Sequence, residues 1–287
     1  MKKRILSIAV AATMVFSLTA CGTSNGGKEK AEESKTASAE EEKVIRVATA
    51  GNYAPFTIYD ETKKEWSGFE IDLWNTIGEK TGYDIEFVKI DTPAAFAELD
   101  LERVDTIAKQ ITITEERKEI YNFSQPFFFS PYCLTVAESN TDITCWADME
   151  GKNIGVKDGS ADIEVIKAND PEGKVNIVLY EDDASCQRDV SLGRVDATVY
   201  ASLVLPYDLE KQKDLKLKAV GTDEALYTEV DGYPFCKTER GDELRELTNQ
   251  VLTEMMEDGS YGELSKKWFD IDIMNSEYAK EYFANNK

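Results

Sequence analysis

Val44-Ile45-Arg46-Val47-Ala48 begins the regular part of this 287-residue chain. Its length and β-branched apolar residues predict a buried strand. Residues 68–80 carry apolar side chains at helical spacing and predict a helix, after which residues 84–90 predict a second strand. Residues 94–101 suit a short helix and residues 104–108 a third strand. This alternation of strands and helices predicts a parallel α/β sheet.

The same alternation restarts after about Pro131. Strands are predicted for residues 153–156, 175–180 and 195–200, with helices for 161–167 and 184–192 between them. A long helical stripe over residues 242–256 ends near Gly259, and another helix runs towards Phe269. We therefore predict two α/β lobes, with the end of the chain packing back on the first.

The N-terminus has the pattern of an export signal. Lys2, Lys3 and Arg4 precede a short apolar run, which Leu18-Thr19-Ala20-Cys21 closes. The run is too short for a comfortable membrane span and predicts a cleaved signal peptide over residues 1–21. The closing tetrad resembles the bacterial lipobox, which implies that Cys21 carries a lipid. Residues 22–43 lack bulky apolar side chains up to the first strand and predict a flexible tether.

Composition narrows the function classes. The net charge of −22 disfavours nucleic acid as a partner, and it disfavours peripheral adsorption to anionic lipid. The chain has no histidine, which removes Ser-His-Asp and Cys-His catalysis and most zinc sites. No metal, cofactor or catalytic residue is therefore predicted. Besides Cys21 there are four cysteines that match no metal motif, and their pairing stays open: Cys133, Cys145, Cys186 and Cys236.

The most informative candidate site is Gln110-Ile111-Thr112-Ile113-Thr114-Glu115-Glu116-Arg117. It follows a strand and opens a helix, with Thr112 or Thr114 as the cap. A guanidinium beside a hydroxyl-bearing cap can bind a carboxylate through two hydrogen bonds. The alternative is an exposed Arg117 that pairs with the neighbouring glutamates.

Further candidates follow strands of both lobes, where ligands bind in open α/β sheets. Asp158-Gly159-Ser160 forms a strand–glycine–helix junction in the second lobe, although such junctions also serve packing alone. The aromatic residues Tyr53, Phe56 and Phe96 could cover the apolar body of a ligand. Core packing is the default expectation for Phe56.

Over residues 45–269 the chain resembles the bacterial extracellular solute-binding proteins of polar amino-acid ABC importers. The resemblance rests on ordered blocks besides residues 110–117: Ile45-Arg46-Val47 with Tyr53-Ala54-Pro55-Phe56, Gly68-Phe69-Glu70-Ile71-Asp72-Leu73, Phe123-Ser124-Gln125-Pro126-Phe127, Gly151-Lys152-Asn153-Ile154-Gly155-Val156, Gly193-Arg194-Val195-Asp196-Ala197, Asp258-Gly259-Ser260-Tyr261 and Lys267-Trp268-Phe269. It implies a two-lobed periplasmic-binding-protein clamshell of type II with two crossover strands. Lobe one would comprise residues 44–131 plus 236–287, and lobe two residues 132–235.

The resemblance also implies a ligand site. Arg117 looks like the arginine that grips the α-carboxylate of the ligand, with the backbone of Gln110 and the hydroxyl and amide of Thr112 beside it. Tyr53 falls where the family stacks an aromatic ring on the ligand. Ser160 and Ala161 fall at the second-lobe junction that reaches the same carboxylate.

One position departs from the family. Many members carry an acid five residues after the aspartate of the Gly-Arg-x-Asp-Ala block, where it holds the ligand ammonium, but this chain has Ala201. Asp158 is a conceivable substitute by its position in lobe two. Lys109 also departs from cystine-binding relatives, whereas Tyr233-Pro234-Phe235 resembles that branch.

Together these features predict a lipid-anchored substrate-binding lipoprotein on the extracytoplasmic face of the cell membrane. It would bind an amino acid, cystine or another polar one, and deliver it as a monomer to the permease and ATPase subunits of an ABC transporter. One alternative is an enzyme on the same fold, of the dehydratase or glycan-cleaving type, which would need a cleft carboxyl of raised pKa. The other is a stand-alone ligand sensor.

Overall fold

The computed structural model describes residues 43–286 of the chain. The predicted signal peptide, the predicted lipid-attachment residue Cys21 and residues 22–42 of the predicted tether lie outside these described residues. Within residues 43–286, no helix combines the length and the apolar character that crossing a membrane requires.

Short strands and helices alternate along the described part of the chain. The strands are β1 (Val44–Thr49), β2 (Asn52–Tyr53), β3 (Thr57–Asp60), β4 (Glu65–Ser67), β5 (Asp84–Lys89), β6 (Thr106–Ile107), β7 (Asn122–Phe123), β8 (Phe128–Ala137), β9 (Asn153–Lys157), β10 (Asn176–Tyr180), β11 (Ala197–Ala201), β12 (Leu217–Val220), β13 (Tyr227–Asp231) and β14 (Pro234–Phe235). The α-helices are α1 (Phe69–Thr81), α2 (Thr92–Asp100), α3 (Glu115–Ile120), α4 (Asp162–Asn169), α5 (Asp183–Ser191), α6 (Leu205–Lys211), α7 (Glu239–Asp258), α8 (Ser260–Phe269) and α9 (Glu277–Asn285).

Lobe one denotes the part of the molecule built around a three-stranded parallel sheet in the order β5-β1-β6. Its central strand β1 is fully buried at Ile45, Val47 and Ala48. A strand that is covered on both faces needs apolar residues almost continuously, which is the pattern seen in the sequence. The predicted parallel sheet is confirmed.

Lobe two denotes the part built around the larger sheet in the order β10-β9-β11-β8-β12, in which β13 also pairs with β8. Strands β9, β10 and β11 run parallel, as the alternation of strands and helices predicts. Strand β8, however, pairs antiparallel with β11, β12 and β13. The second sheet is therefore mixed, and the two-lobed α/β architecture is confirmed.

Strands β8 and β13 connect the two lobes. Phe128 and Phe129, at the start of β8, belong to the same buried cluster as Trp74 of α1. Leu134 and Val136, further along the same strand, belong to the core of lobe two. The predicted boundary between residues 131 and 132 falls inside this strand, and the lobe limits stay a prediction.

The C-terminal helices pack on lobe one. Helix α7 buries an apolar stripe that includes Leu244, Val251 and Met255. Helix α8 buries Tyr261, whose hydroxyl donates a hydrogen bond to the carbonyl oxygen of Phe127. Both helices contact α1. The C-terminal part of the chain thus completes the hydrophobic core of lobe one.

A glycine sets the start of α1. Gly68 precedes the helix with φ of 129° and ψ of 167°, a conformation that essentially only glycine adopts. The first N–H groups of the helix then reach the preceding loop: Phe69 donates to Pro55 O and Glu70 to Phe56 O, both at 3.0 Å. A Cβ at Gly68 would overlap the carbonyl oxygen of Phe56. This contact holds the Tyr53 loop against the buried end of α1.

Gly68→Ala should therefore lower the free energy of unfolding by roughly 3 kcal/mol or more, since backbone strain and steric overlap add. Gly82→Ala is the matched control, because Gly82 has φ of 73° but nothing within 4 Å of its Cβ position. It should cost only the left-handed penalty of about 1–2 kcal/mol. Urea unfolding of both variants measures the difference, and equal losses would contradict the proposed overlap.

Candidate functional site

A cleft of about 440 Å³ brings together several predicted residues. Tyr53 of lobe one forms part of its wall, and Asp158, Ser160 and Ala161 of lobe two form another part. The complete lining is Tyr53, Tyr132, Lys157, Asp158, Gly159, Ser160, Ala161, Asp162, Asp183, Val199, Tyr200, Tyr227 and Glu229. Polar and aromatic side chains dominate it, as expected for a polar small-molecule site.

Arg117, Thr112 and Phe96 form a second group on lobe one, outside that lining. The Nη1 atom of Arg117 donates a 2.7 Å hydrogen bond to Thr112 O, and its Cζ lies 5.7 Å from the centroid of the Phe96 ring. Thr114, rather than Thr112, caps α3, because its hydroxyl oxygen accepts from Arg117 N at 3.2 Å. The guanidinium is thus held by its own loop and by an aromatic face.

The alternative for Arg117, an ion pair with neighbouring glutamates, is wrong for the described structure. Glu115 pairs with Lys118 at 2.8 Å. None of the ion pairs formed within residues 43–286 involves Arg117. Its remaining donors can therefore take an anionic group.

Gln110 adopts a left-handed backbone conformation, with φ of 47°. Its N–H donates a 3.2 Å hydrogen bond to Oε2 of Glu70, which lies in the first turn of α1. Glu70 is 0% exposed, and burial together with the negative charge of Asp231 raises its pKa to about 8. The Gln110 N–H therefore donates to a carboxyl of the protein itself, whereas the resemblance implied that the backbone of Gln110 contacts the ligand.

Strand β13 joins the Arg117 group to the cleft. Tyr227, Glu229 and Asp231 alternate on one face of the strand, and Val230 on the other face packs on the core of lobe one. Tyr227 and Glu229 line the cleft, whereas Asp231 forms a β-bridge with Thr112. One strand thus runs from the cleft wall to the arginine loop.

Asp231 is a second buried acid, besides Glu70. It is 1% exposed, and burial raises its pKa well above the ordinary value, as does the charge of Glu229. The Thr112 side chain and the charge of Arg117 act in the opposite direction. Neither carboxyl oxygen forms a hydrogen bond of good geometry within the described residues, so the effect of Thr112 is weak.

Asp162 organises the lobe-two wall. Its Oδ2 accepts a 2.6 Å hydrogen bond from the Ser160 hydroxyl, and its Oδ1 accepts a 2.8 Å bond from the Tyr227 hydroxyl. The Tyr227 ring stacks on Tyr132, with centroids 4.5 Å apart. Burial raises the pKa of Glu229, and a hydrogen bond from Tyr132 lowers it. This wall therefore presents aromatic faces and carboxylates together.

The aromatic candidates separate by burial. Phe56 is 1% exposed and stacks on Tyr53 at 5.2 Å, so its expected core role is confirmed. Tyr53 keeps one side on the cleft. Phe96 is half-buried between Arg117 and Tyr121.

Ala201 lies beside the cleft without forming its wall. It is 5% exposed and pairs with Tyr132 across β11 and β8. Asp158 is exposed and does form part of the wall. All four cysteines within the described residues are free thiols. Those residues also contain no cluster of acidic or thiol side chains that could hold a metal ion.

Several residues at the site escaped the sequence-based prediction, among them Glu70, Tyr132, Asp162, Tyr227, Glu229 and Asp231. The acids at 229 and 231 share one face of a strand with Tyr227, which is a usable signal only once residues 227–231 are known to be a strand. Glu70 lies between core residues of α1 and resembles any first-turn acid of a helix.

A polar cleft walled by two α/β lobes and crossed by connecting strands defines a two-lobed solute-binding protein. The sequence model for bacterial extracellular solute-binding proteins, family 3, matches residues 45–271. The chain belongs to this family.

Individual relatives span almost all of the chain. The probable amino-acid-binding protein YxeM of Bacillus subtilis is 33% identical over 95% of this chain and 98% of its own length. The putative amino-acid ABC transporter-binding protein PatH of Vibrio harveyi is 36% identical over 80% of this chain and 90% of its own. The open, unliganded L-cystine solute receptor of Neisseria gonorrhoeae is similar in structure, with a TM-score of 0.70, 25% identity and coverage of 82% of this chain and 97% of that one.

Glu70 should make stability fall with rising pH. Its pKa is about 8 in the folded chain against an ordinary value of 4.5, so between these values only the native state holds the proton. One such group lowers the free energy of unfolding by roughly 1.4 kcal/mol for each pH unit across that window. Glu70→Gln should remove the contribution of Glu70 to this pH dependence of the unfolding free energy, while the contribution of Asp231 remains.

Urea unfolding at several pH values between about 5 and 8 measures the slope. Glu164→Gln, an exposed change on α4, is the matched control and should leave the slope as it is. An unchanged slope in Glu70→Gln would show that Glu70 is ionised in the folded protein throughout this range.

Proposed function

We propose that this chain is the substrate-binding subunit of an ABC importer. It captures an amino acid in the cleft between its two lobes and delivers it to the permease and ATPase subunits. The observation that carries the proposal is Arg117, a half-buried guanidinium held by Thr112 and Phe96 and free of any ion pair within the described residues.

Arg117 suits the α-carboxylate of the ligand. A guanidinium can donate two parallel hydrogen bonds to one carboxylate, and desolvation strengthens this pairing. Thr112 and Tyr53 lie on the same lobe as Arg117 and would give further contacts to the ligand. Ser160 and Ala161 would contact it from lobe two, across the cleft. A ligand that touches both walls stabilises the closed arrangement of the lobes.

Membership of family 3 and the roles of the relatives support the transport role. Two of those relatives are named as amino-acid-binding proteins, and the similar receptor of Neisseria gonorrhoeae is an L-cystine receptor. We include L-cystine among the candidate ligands on this basis, beside other polar amino acids.

We also propose that the protein is a lipoprotein on the extracytoplasmic face of the cell membrane, where it acts as a monomer. The basic start, the short apolar run and the Leu-Thr-Ala-Cys segment that ends at Cys21 support this. The tether would let the binding lobes reach the importer while the lipid holds them at the bilayer.

The enzymatic alternative needs a carboxyl of raised pKa that can reach the solute. Glu70 has such a pKa, but it is 0% exposed and does not line the cleft. Glu229 lines the cleft and its pKa is also raised, so the choice between the two functions rests on the family and on its amino-acid-binding relatives. Transport therefore remains the function that the site and these relatives together support best.

Arg117→Ala should weaken amino-acid binding by about 3–5 kcal/mol, because it removes one partner of a buried ion pair. The wild-type chain is first tested by thermal shift against the proteinogenic amino acids and L-cystine, since a tight ligand raises the midpoint. Calorimetry with the best binder then measures the variant.

The control for this experiment is Arg103→Ala. Arg103 also lies in lobe one, but it is exposed and pairs with Glu98 at 3.2 Å. Its loss should leave the affinity unchanged. If Arg117→Ala bound the amino acid as tightly as the wild type, Arg117 would not be the carboxylate site.

Cys21→Ser should abolish lipid attachment. Labelled palmitate fed to the producing cells should enter the wild-type chain and be absent from the variant, which should leave the membrane fraction. Cys145→Ser is the control, because Cys145 is a free thiol of the folded part. Equal labelling of the wild type and Cys21→Ser would refute the anchor.

A further inference from the structure

We infer that Glu229 on β13 binds the ammonium group of the ligand, the task for which Ala201 has no suitable side chain. This inference rests on the proposed function, because it concerns the other end of an amino acid held by Arg117. It assigns the cleft to zwitterionic and cationic amino acids and disfavours those with an acidic side chain.

The first argument is placement. Glu229 lines the cleft and lies opposite Ser130 in the β8–β13 pairing. Asp231, two residues further on the same face, bridges to Thr112 in the Arg117 loop. Successive residues on one face of a strand lie about 7 Å apart. Glu229 is therefore one strand step from the loop that presents the carboxylate-binding arginine.

The second argument compares the acids of the cleft. Both carboxyl oxygens of Asp162 already accept hydrogen bonds, from Ser160 and Tyr227. Asp158 and Asp183 are exposed, so water screens their charges. Glu229 is partly buried, and none of the ion pairs of residues 43–286 includes it. It is the cleft acid with the most to gain from a bound cation.

The third argument is the surrounding charge. The cleft is lined by four acids and by one cation, Lys157. The buried carboxyl of Asp231 adds little to this negative charge, because burial raises its pKa well above the ordinary value. Arg117 attracts both Glu229 and Asp231, but it would be shared with the ligand carboxylate. A positive group on the ligand would restore the balance.

The aromatic surroundings fit the same group. The Tyr132 side chain lowers the pKa of Glu229 and so favours its carboxylate form, and the Tyr132 ring stacks on Tyr227. Tyrosine faces attract ammonium groups through their quadrupoles. An ammonium between Glu229 and these rings would therefore meet a carboxylate and aromatic faces, whereas an acidic side chain would meet like charge.

The test pairs each amino acid with its desamino analogue, the same molecule with hydrogen in place of the ammonium. The probes are the proteinogenic amino acids that stabilise the full-length protein in detergent, and L-cystine with dithiodipropanoic acid. Calorimetry compares the wild type with Glu229→Gln. The variant should bind the amino acid roughly 100-fold more weakly and the analogue within about 3-fold of the wild type.

Two further variants control the charge change. Glu164→Gln removes an exposed acid of lobe two that does not line the cleft, and it should leave both affinities unchanged. Asp158→Asn tests the competing assignment, in which Asp158 binds the ammonium. If Asp158→Asn removes the preference for the amino acid over its analogue and Glu229→Gln does not, the inference is wrong. Should Glu229→Gln not fold, Glu229→Asp replaces it and should weaken the amino acid alone.

The outcomes separate this inference from the proposed function. If the wild type binds an amino acid and Glu229→Gln binds it equally well, the inference fails and the transport role stands. Arg117→Ala should weaken the amino acid and the analogue alike, since both carry the carboxylate. If no amino acid binds the wild type, both the proposed function and this inference fail. Tight binding of L-glutamate would contradict the ligand class assigned to the cleft.

Discussion

The antiparallel pairing of β8 with β13 is the constraint on which the candidate site depends. It places Tyr227 opposite Tyr132, Glu229 opposite Ser130 and Asp231 opposite Phe128. Because side chains alternate along a strand, a shift of one residue would turn Glu229 away from the cleft and Val230 towards it. The large energetic cost of that exchange fixes the register, and the register fixes the site.

The same pairing explains how two separate cores share one binding cleft. The start of β8 is anchored among the aromatic side chains of lobe one, and its later residues are anchored in lobe two. Thr112 adds a bridge from the arginine loop to Asp231, and Ile113 N donates a 2.8 Å bond to Val230 O. The arginine loop is therefore tied to the strand that carries Glu229 of the cleft wall.

The sequence predicts the two sheets well and the site only in part. Periodic segments such as β1, α1 and β9 are local signals, since burial of one helical face or a whole strand leaves its pattern in consecutive residues. Strand β8 is buried at nine of its ten residues and shows no such period, so its antiparallel partners were not predictable. Arg117 and Tyr53 were predicted through a family resemblance. Glu229 and Asp231 were not predicted, because their positions depend on pairing with residues about 100 positions away in the chain.

Buried acids are costly for a small fold, and Glu70 and Asp231 are two such acids within the described residues. Glu70 and Asp231 are both held with raised pKa values, which stabilise their neutral forms and limit the cost of burial. A folded chain selected for stability alone would replace them with apolar side chains. The negative charge of the unliganded site comes instead from the acids that line the cleft, four carboxyls against the single cation Lys157. Under the function proposed above, a ligand with a carboxylate for Arg117 and an ammonium for Glu229 would have to contact both side chains at once. That requirement would link recognition of the ligand to closure, because residues of both lobes line the cleft.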